Sequence, residues 1–443
     1  MKLAAGMFLA GAGSRLLPPS IPFRFFGAAV VFQLCAWVAL FIDADAAVRF
    51  AGGLGWPLAA LHFVTLGVLA MTAIGASLQL LPVATRRPVG NGRWPAAIWW
   101  LYTPGVALTA LGMGAGATTM LAAGAIAVVT ALVAYAVLLT RNLIGAKGMP
   151  VVVAHGWAAL VSLLVVIATA LALAGTYVGT YVGTPTIDRP TAVALHVVFA
   201  AYGFMGMLAL GLSYIVVPMF ALSAPPAERP AWASFALAVL ALLLAGVAAL
   251  GIAPEFLRTA AVAAGLVAVA VHLRLMAIAL KTGMRRHLGR SFTLVRIAWA
   301  ALVASLVVAL VVVHDAPVDG IATQFGLVLI GGWLVTFALA ILQRIVPFLA
   351  SMHAAQVKTR GRSLPPTPSA LTAERPLAIH FSCHLAALAL LVVAIAVDSA
   401  AAVRAAAAVG TAGALAFAAF FAIVMRRMRR PAASAAPGTM PAA

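Results

Sequence analysis

The chain has 443 residues, 65% of them apolar and only 8% charged, with a mean hydropathy of +1.13. Soluble domains carry about 25% charged residues, so a soluble globular protein is excluded, and at about 20 residues per span the apolar length suffices for roughly a dozen helices. The net charge of +19 sits in short clusters between apolar runs, which is the pattern of loops that follow the positive-inside rule and not of a nucleic-acid surface. Cys35 and Cys383 both lie inside apolar runs, so no disulfide framework is implied.

The fold class that follows is an all-α membrane protein with twelve transmembrane helices. In chain order, Met1 to Gly13 reads as an interfacial lead-in and not a cleaved signal, because Arg15 and Arg24 follow it. The spans fall near 22–42, 56–84, 95–112, 116–140, 150–174, 191–222, 231–251, 256–280, 294–314, 321–350, 377–397 and 402–425. Residues 1–430 form a single transmembrane domain, and 431–443 a disordered tail. Between the fifth and sixth spans, a repeated Thr-Tyr-Val-Gly unit (Thr176–Gly179, Thr180–Gly183) reads as an outer loop, without the fourfold context of an ion filter. With a cytoplasmic N-terminus, the inner side receives clusters such as Arg86–Arg87, Arg285–Arg286 and Arg426–Arg430. The outer side keeps only Arg49, Arg189, Arg258 and Arg404, together with most of the acids. A miscounted span would invert this alternation, so twelve spans with both termini cytoplasmic are expected.

Spans 2, 6 and 10 (56–84, 191–222 and 321–350) share a register. Pro82, Pro218 and Pro347 are each preceded by fifteen residues by Gly67, Gly203 and Gly332, and by seven by Gly75, Gly211 and Ala340. Gln79, Tyr214 and Gln343 stand three or four residues before each proline. The prolines are 136 and 129 residues apart, four spans each time. Small residues at fixed depth let backbones approach closely, so the repeat implies three quasi-equivalent four-helix arcs with spans 2, 6 and 10 at the centre.

Twelve spans in three such arcs resemble subunit I of the haem-copper oxidases, and most of all the C-type oxidases and the related nitric oxide reductases. His196, Gly203, Gly206, Gly211, Tyr214 and Pro218, followed by Ala227-Glu228-Arg229-Pro230, look like that family's sixth helix, which carries a copper-binding histidine. His62 with Gly67, Gly75 and Gln79 is similar to its second helix, which starts with a ligand to a low-spin haem; Gly331-Gly332-Trp333 and Val346-Pro347 are similar to its tenth. The departures are equally specific. The family's His-x-His pair in helix 10 is replaced by Phe325 and Leu327, and helix 7 (Pro230 to Gly251) has no histidine where the family has a His-His pair. The resemblance therefore implies an atypical relative that cannot build the oxygen- or nitric-oxide-reducing site.

Of the polar groups inside spans, His62 and His196 lie at one depth on quasi-equivalent helices. Intramembrane ionisable groups are functional candidates by default, and neutral imidazole ligates haem iron and copper; the alternative is that each bonds a carbonyl and packs. His380 and His384 share a helix face at i, i+4 and form a weaker metal candidate, weighed against a hydrated interfacial pair. Met205 and Met207 supply soft thioethers, though methionine in an apolar helix is usually filler. His155 and His272 read as packed or interfacial, and Arg344 as a snorkelling arginine able to meet a propionate or lipid headgroup. The expected protein is a haem b- or copper-binding membrane protein of respiratory or nitrogen-oxide physiology, in a bacterial inner membrane. Its expected partners are the lipid bilayer and other membrane or respiratory subunits, with no nucleic acid. The alternative is a transporter or channel for a small solute, proton or metal through the three-helix centre.

Overall fold

A computed structural model describes residues 17–179, 187–285, 287–314, 318–358 and 366–429. The expected lead-in, the second Thr-Tyr-Val-Gly unit and the tail lie outside the described residues. Among the described residues, twelve helices are long and apolar enough to cross a membrane: α1 (Ser20–Ile42), α2 (Trp56–Thr85), α3 (Arg93–Ala115), α4 (Thr118–Leu143), α5 (Pro150–Val178), α6 (Arg189–Ala221), α7 (Glu228–Ala249), α8 (Pro254–Thr282), α9 (Gly289–Val313), α10 (Ile321–Ala355), α11 (Glu374–Ala396) and α12 (Ala400–Arg429). The protein is thus an all-helical, multi-pass membrane protein. A helix satisfies its own backbone polar groups, which a lipid environment requires. Several helices run past the apolar segment that announces them. α9 starts at Gly289 where 294 was expected, and α12 continues to Arg429 where 425 was expected. In both, arginines extend the helix into the interface, where hydropathy no longer marks it.

The packing is threefold. The pairs α3–α4, α7–α8 and α11–α12 run side by side, each most extensively on its partner, while α1 lies on α2, α5 on α6 and α9 on α10. The seams α4–α5, α8–α9 and α12–α1 close the ring. At the arginine-rich end, Arg87 donates to the Ile144 carbonyl and Arg427 to the Thr372 carbonyl. At the opposite end, Arg49 pairs with Asp398, and Arg404 with Asp45.

The three central helices share a further irregularity that the sequence did not announce. Each contains a π-helical segment: Phe63–Ala70 in α2, Phe199–Gly206 in α6 and Leu327–Val335 in α10. The α10 segment touches the other two. Widened turns of this kind leave carbonyls poorly matched to amides and recur at functional sites. Here neighbouring side chains take up two of them. Tyr102 on α3 donates to the Leu66 carbonyl at 3.2 Å, and Thr336 to the Gly331 carbonyl at 2.8 Å. The segments stay slim because glycine lets neighbours in: a Cβ on Gly67 would stand 2.5 Å from Phe32, and one on Gly203 2.6 Å from the Ser162 hydroxyl oxygen.

Candidate functional site

The core divides the central helices by depth. From the π segments toward the arginine-rich end, α2, α6 and α10 are buried almost residue by residue. Toward the arginine-poor end their side chains are only half-buried, among them His62, Thr65, His196, Phe199, Phe325 and Leu327. Gly326, on the same stretch of α10, has open space where a side chain would begin. Trp333 closes the floor: its ring is 2% exposed, lies 5.6 Å from the Tyr202 ring, and fills the notch at Gly206. The arginine-poor end of the central helices is therefore a partly accessible vestibule above a packed floor.

Both histidines expected to carry function stand in it. The two come from different central helices, α2 and α6. In each ring one nitrogen is committed. Nδ1 of His62 is 2.9 Å from the Leu58 carbonyl oxygen, four residues back, and so donates to it. Nδ1 of His196 is 3.2 Å from the hydroxyl of Thr169, a buried residue on α5. Fixing one imidazole nitrogen sets the tautomer and the ring plane and leaves Nε2 unprotonated, with a lone pair free to ligate, the usual arrangement behind a metal-ligating histidine. Among the described residues no cluster of three or more His, Cys, Asp or Glu side chains gathers, so a tetrahedral all-protein site is not formed. Two imidazoles with unbonded Nε2 atoms are the donor type that copper or haem iron would take.

The other candidates are dispersed. Met205 is half-buried below His196, whereas Met207 packs in the core at 1% exposure. Gln79 and Gln343 are buried on the floor side of α2 and α10, each with one amide atom that lacks a partner. Arg344 is committed to α9: its Nε donates to the Ser291 hydroxyl at 2.6 Å and a terminal nitrogen to the Leu288 carbonyl. It therefore ties α10 to α9 at the arginine-rich end.

His380 and His384 are not hydrated at an interface. Both are buried, with rings stacked at 5.5 Å. His384 Nε2 is 2.8 Å from the Thr336 hydroxyl, which itself donates into the α10 π segment; His380 Nδ1 is 3.2 Å from the Gly413 carbonyl oxygen of α12. The pair braces α11 against α10 and α12, too far down the bundle to join the vestibule.

A grouping the sequence did not announce lies near the arginine-rich end. Tyr214 stands between His155 of α5 and His272 of α8, with ring centroids 5.6 and 5.0 Å away. His155 fits because α6 carries glycine at 211, where a Cβ would lie 2.6 Å from the histidine Cβ. His272 Nδ1 is 3.1 Å from the Tyr214 hydroxyl, and its Nε2 is buried without a partner.

No family model matches the chain, and no curated protein matches it. Among solved structures it is similar to a heme-copper terminal oxidase determined as a dimer by cryo-electron microscopy. The TM-score is 0.59 and the identity 12%, over 92% of this chain and 83% of that one. The shared fold is that of a heme-copper oxidase.

Proposed function

We propose that this chain is an integral membrane cofactor-binding protein on the heme-copper oxidase fold, with His62 and His196 holding a copper ion or a haem b in the vestibule. The observation that carries the reading is the pair of imidazoles on quasi-equivalent helices, each with Nδ1 committed and Nε2 free beside an opening. Bound there, the metal would supply one-electron chemistry or hold a small diatomic ligand. The chain's own part is to orient two neutral rings, to keep the floor dry through Trp333, and to leave the arginine-poor end open.

The reading does not extend to oxygen or nitric oxide reduction. The two α10 positions that ligate in the oxidase pattern are Phe325 and Leu327, and α7 has no histidine. Sensing, tolerance, electron transfer or cofactor handling fits the residues better, in a bacterial inner membrane with the arginine-rich end cytoplasmic and with other respiratory subunits as partners. Transport through the centre is less well supported, because the central helices are packed shut below the π segments.

Copper and haem content of detergent-purified protein tests the proposal. About one equivalent per chain in the wild type, lost in both His62→Ala and His196→Ala, supports it. Sub-stoichiometric content unaffected by either substitution contradicts it.

A further inference from the structure

A second binding feature lies on the outside of the bundle. Between α1 and α3, near the arginine-rich end, runs a groove of about 350 Å³ whose walls include Phe23, Gly27, Val31, Phe32 and Trp99. Its walls are almost wholly apolar, with two exceptions at defined heights. Arg24 stands at the mouth, exposed, and the indole Nε1 of Trp99 donates to its carbonyl at 3.0 Å, which fixes that stretch of α1 level with the second turn of α3. Thr103 lies one turn further along α3, about 6 Å deeper at the helical rise. Its hydroxyl is shielded and has no hydrogen-bond partner, not even the i−4 carbonyl that other threonines of this bundle use. Pro104 follows it, so the Trp100 carbonyl also loses its usual intrahelical amide. Trp94 and Trp100, on the same helix α3, are 61% and 66% exposed, as tryptophans at a headgroup boundary are.

A guanidinium at the mouth, a lone hydroxyl donor one turn below it and an apolar trough beyond match the order of groups in a glycerophospholipid: phosphate, ester carbonyl, acyl chain. We propose that this groove retains one anionic diacyl phospholipid of the leaflet at the arginine-rich end. Its phosphate lies on Arg24, an ester carbonyl accepts from the Thr103 hydroxyl, and one acyl chain lies over Gly27 and Val31. Arg93, exposed at the start of α3, adds positive charge on the same side and favours an anionic over a zwitterionic headgroup.

Native mass spectrometry of the full chain, released from micelles that hold equal phosphatidylglycerol and phosphatidylcholine, tests this. The expected result is one retained phosphatidylglycerol per chain. Arg24→Gln is expected to lower the preference over phosphatidylcholine by about fivefold. Thr103→Val, which keeps the shape, is expected to weaken retention of both diacyl lipids and to leave an ether-linked dialkyl phosphatidylglycerol, which has no ester carbonyl, unaffected. Val31→Trp is expected to weaken retention by filling part of the trough, with gel-filtration profile and melting temperature checking that each variant is folded. Equal retention of the two lipids by the wild type, or retention unchanged in folded Arg24→Gln and Thr103→Val proteins, would overturn the proposal.

Discussion

The Tyr214 hydroxyl and His272 Nδ1 stand 3.1 Å apart, joining α6 to α8 across 58 positions, and Ser77 and Tyr135 join α2 to α4 across the same 58 positions at 2.8 Å. The two bonds lie one residue out of the 136-residue register that aligns Pro82 with Pro218, so a central helix is tied to the fourth helix of its arc at a closely similar height in the first two arcs, while the side chains differ. In the second arc the tie has become a histidine–tyrosine–histidine stack.

Because His272 Nε2 is already unpartnered, Tyr214→Phe leaves that ring with no hydrogen bond. The expected cost is about 1–2 kcal/mol, read as a lower melting temperature in detergent. Combining it with His272→Phe should cost less than the sum of the two single changes, since they remove one shared interaction. Strict additivity would mean that the pair does not interact.

Glycine substitutions should separate by neighbour. Gly211→Ala drives a methyl to within 2.6 Å of the His155 Cβ, and Gly410→Ala drives one to within 2.3 Å of the Trp37 ring, whereas Gly175 has nothing within 4 Å. Overpacking of this kind typically costs about 1–3 kcal/mol. The first two variants should therefore melt lower or express as aggregates, and Gly175→Ala should match the wild type. Gel filtration with fluorescence detection ranks all three in one experiment.

At the arginine-poor end, hydrogen bonding to Arg49 holds the Asp398 carboxyl below its ordinary value. A lowered carboxylate pKa contributes stability above the ordinary value of about 4 and loses it as pH falls through the lowered one. Asp398 also has φ +51°, which asparagine tolerates, so Asp398→Asn removes the charge without backbone strain. The variant should melt below the wild type at neutral pH, and the difference should close below about pH 4. Added salt should shrink it as well, because the pair is exposed.

Thr169 offers a test of orientation apart from ligation. Its hydroxyl meets His196 Nδ1 and it touches no cofactor atom in this reading. Thr169→Val should lower metal affinity by about 10–100-fold, the usual cost of removing the group behind a ligating histidine. Competition with a chelator of known affinity measures this, and rescue by Thr169→Ser would separate a hydrogen-bonding role from a packing one.

The sequence carried the twelve spans and the threefold register well, because hydrocarbon permits few solutions and charge alternation counts them. Helix ends were less legible where arginines continue a helix beyond the apolar run, as at Gly289 and Arg429. The π segments left no periodic signal: they arise from packing around glycines such as Gly67 and Gly203, which individually look like ordinary small residues. His62 and His196 stood out as isolated imidazoles at one depth. The grouping of His155 and His272 did not, because each looks like a lone core histidine until Tyr214 is placed between them. A signal existed nonetheless: Tyr214 and His272 lie 137 residues beyond Ser77 and Tyr135, one more than the 136-residue repeat, and those two residues bond each other. His380 and His384 read from sequence as a weaker metal candidate or a hydrated boundary pair because they lie near a helix end, whereas α12 and the Thr336 side chain cover them.

The central claim is most directly tested by a reduced-minus-oxidised absorption spectrum and an electron paramagnetic resonance spectrum of the same purified sample, compared among wild type, His62→Ala and His196→Ala. The account predicts a haem b difference band or a cupric signal in the wild type, removed or shifted in both variants while the fold is retained. Flat spectra in a folded, full-length wild type reconstituted with haem and copper would contradict it.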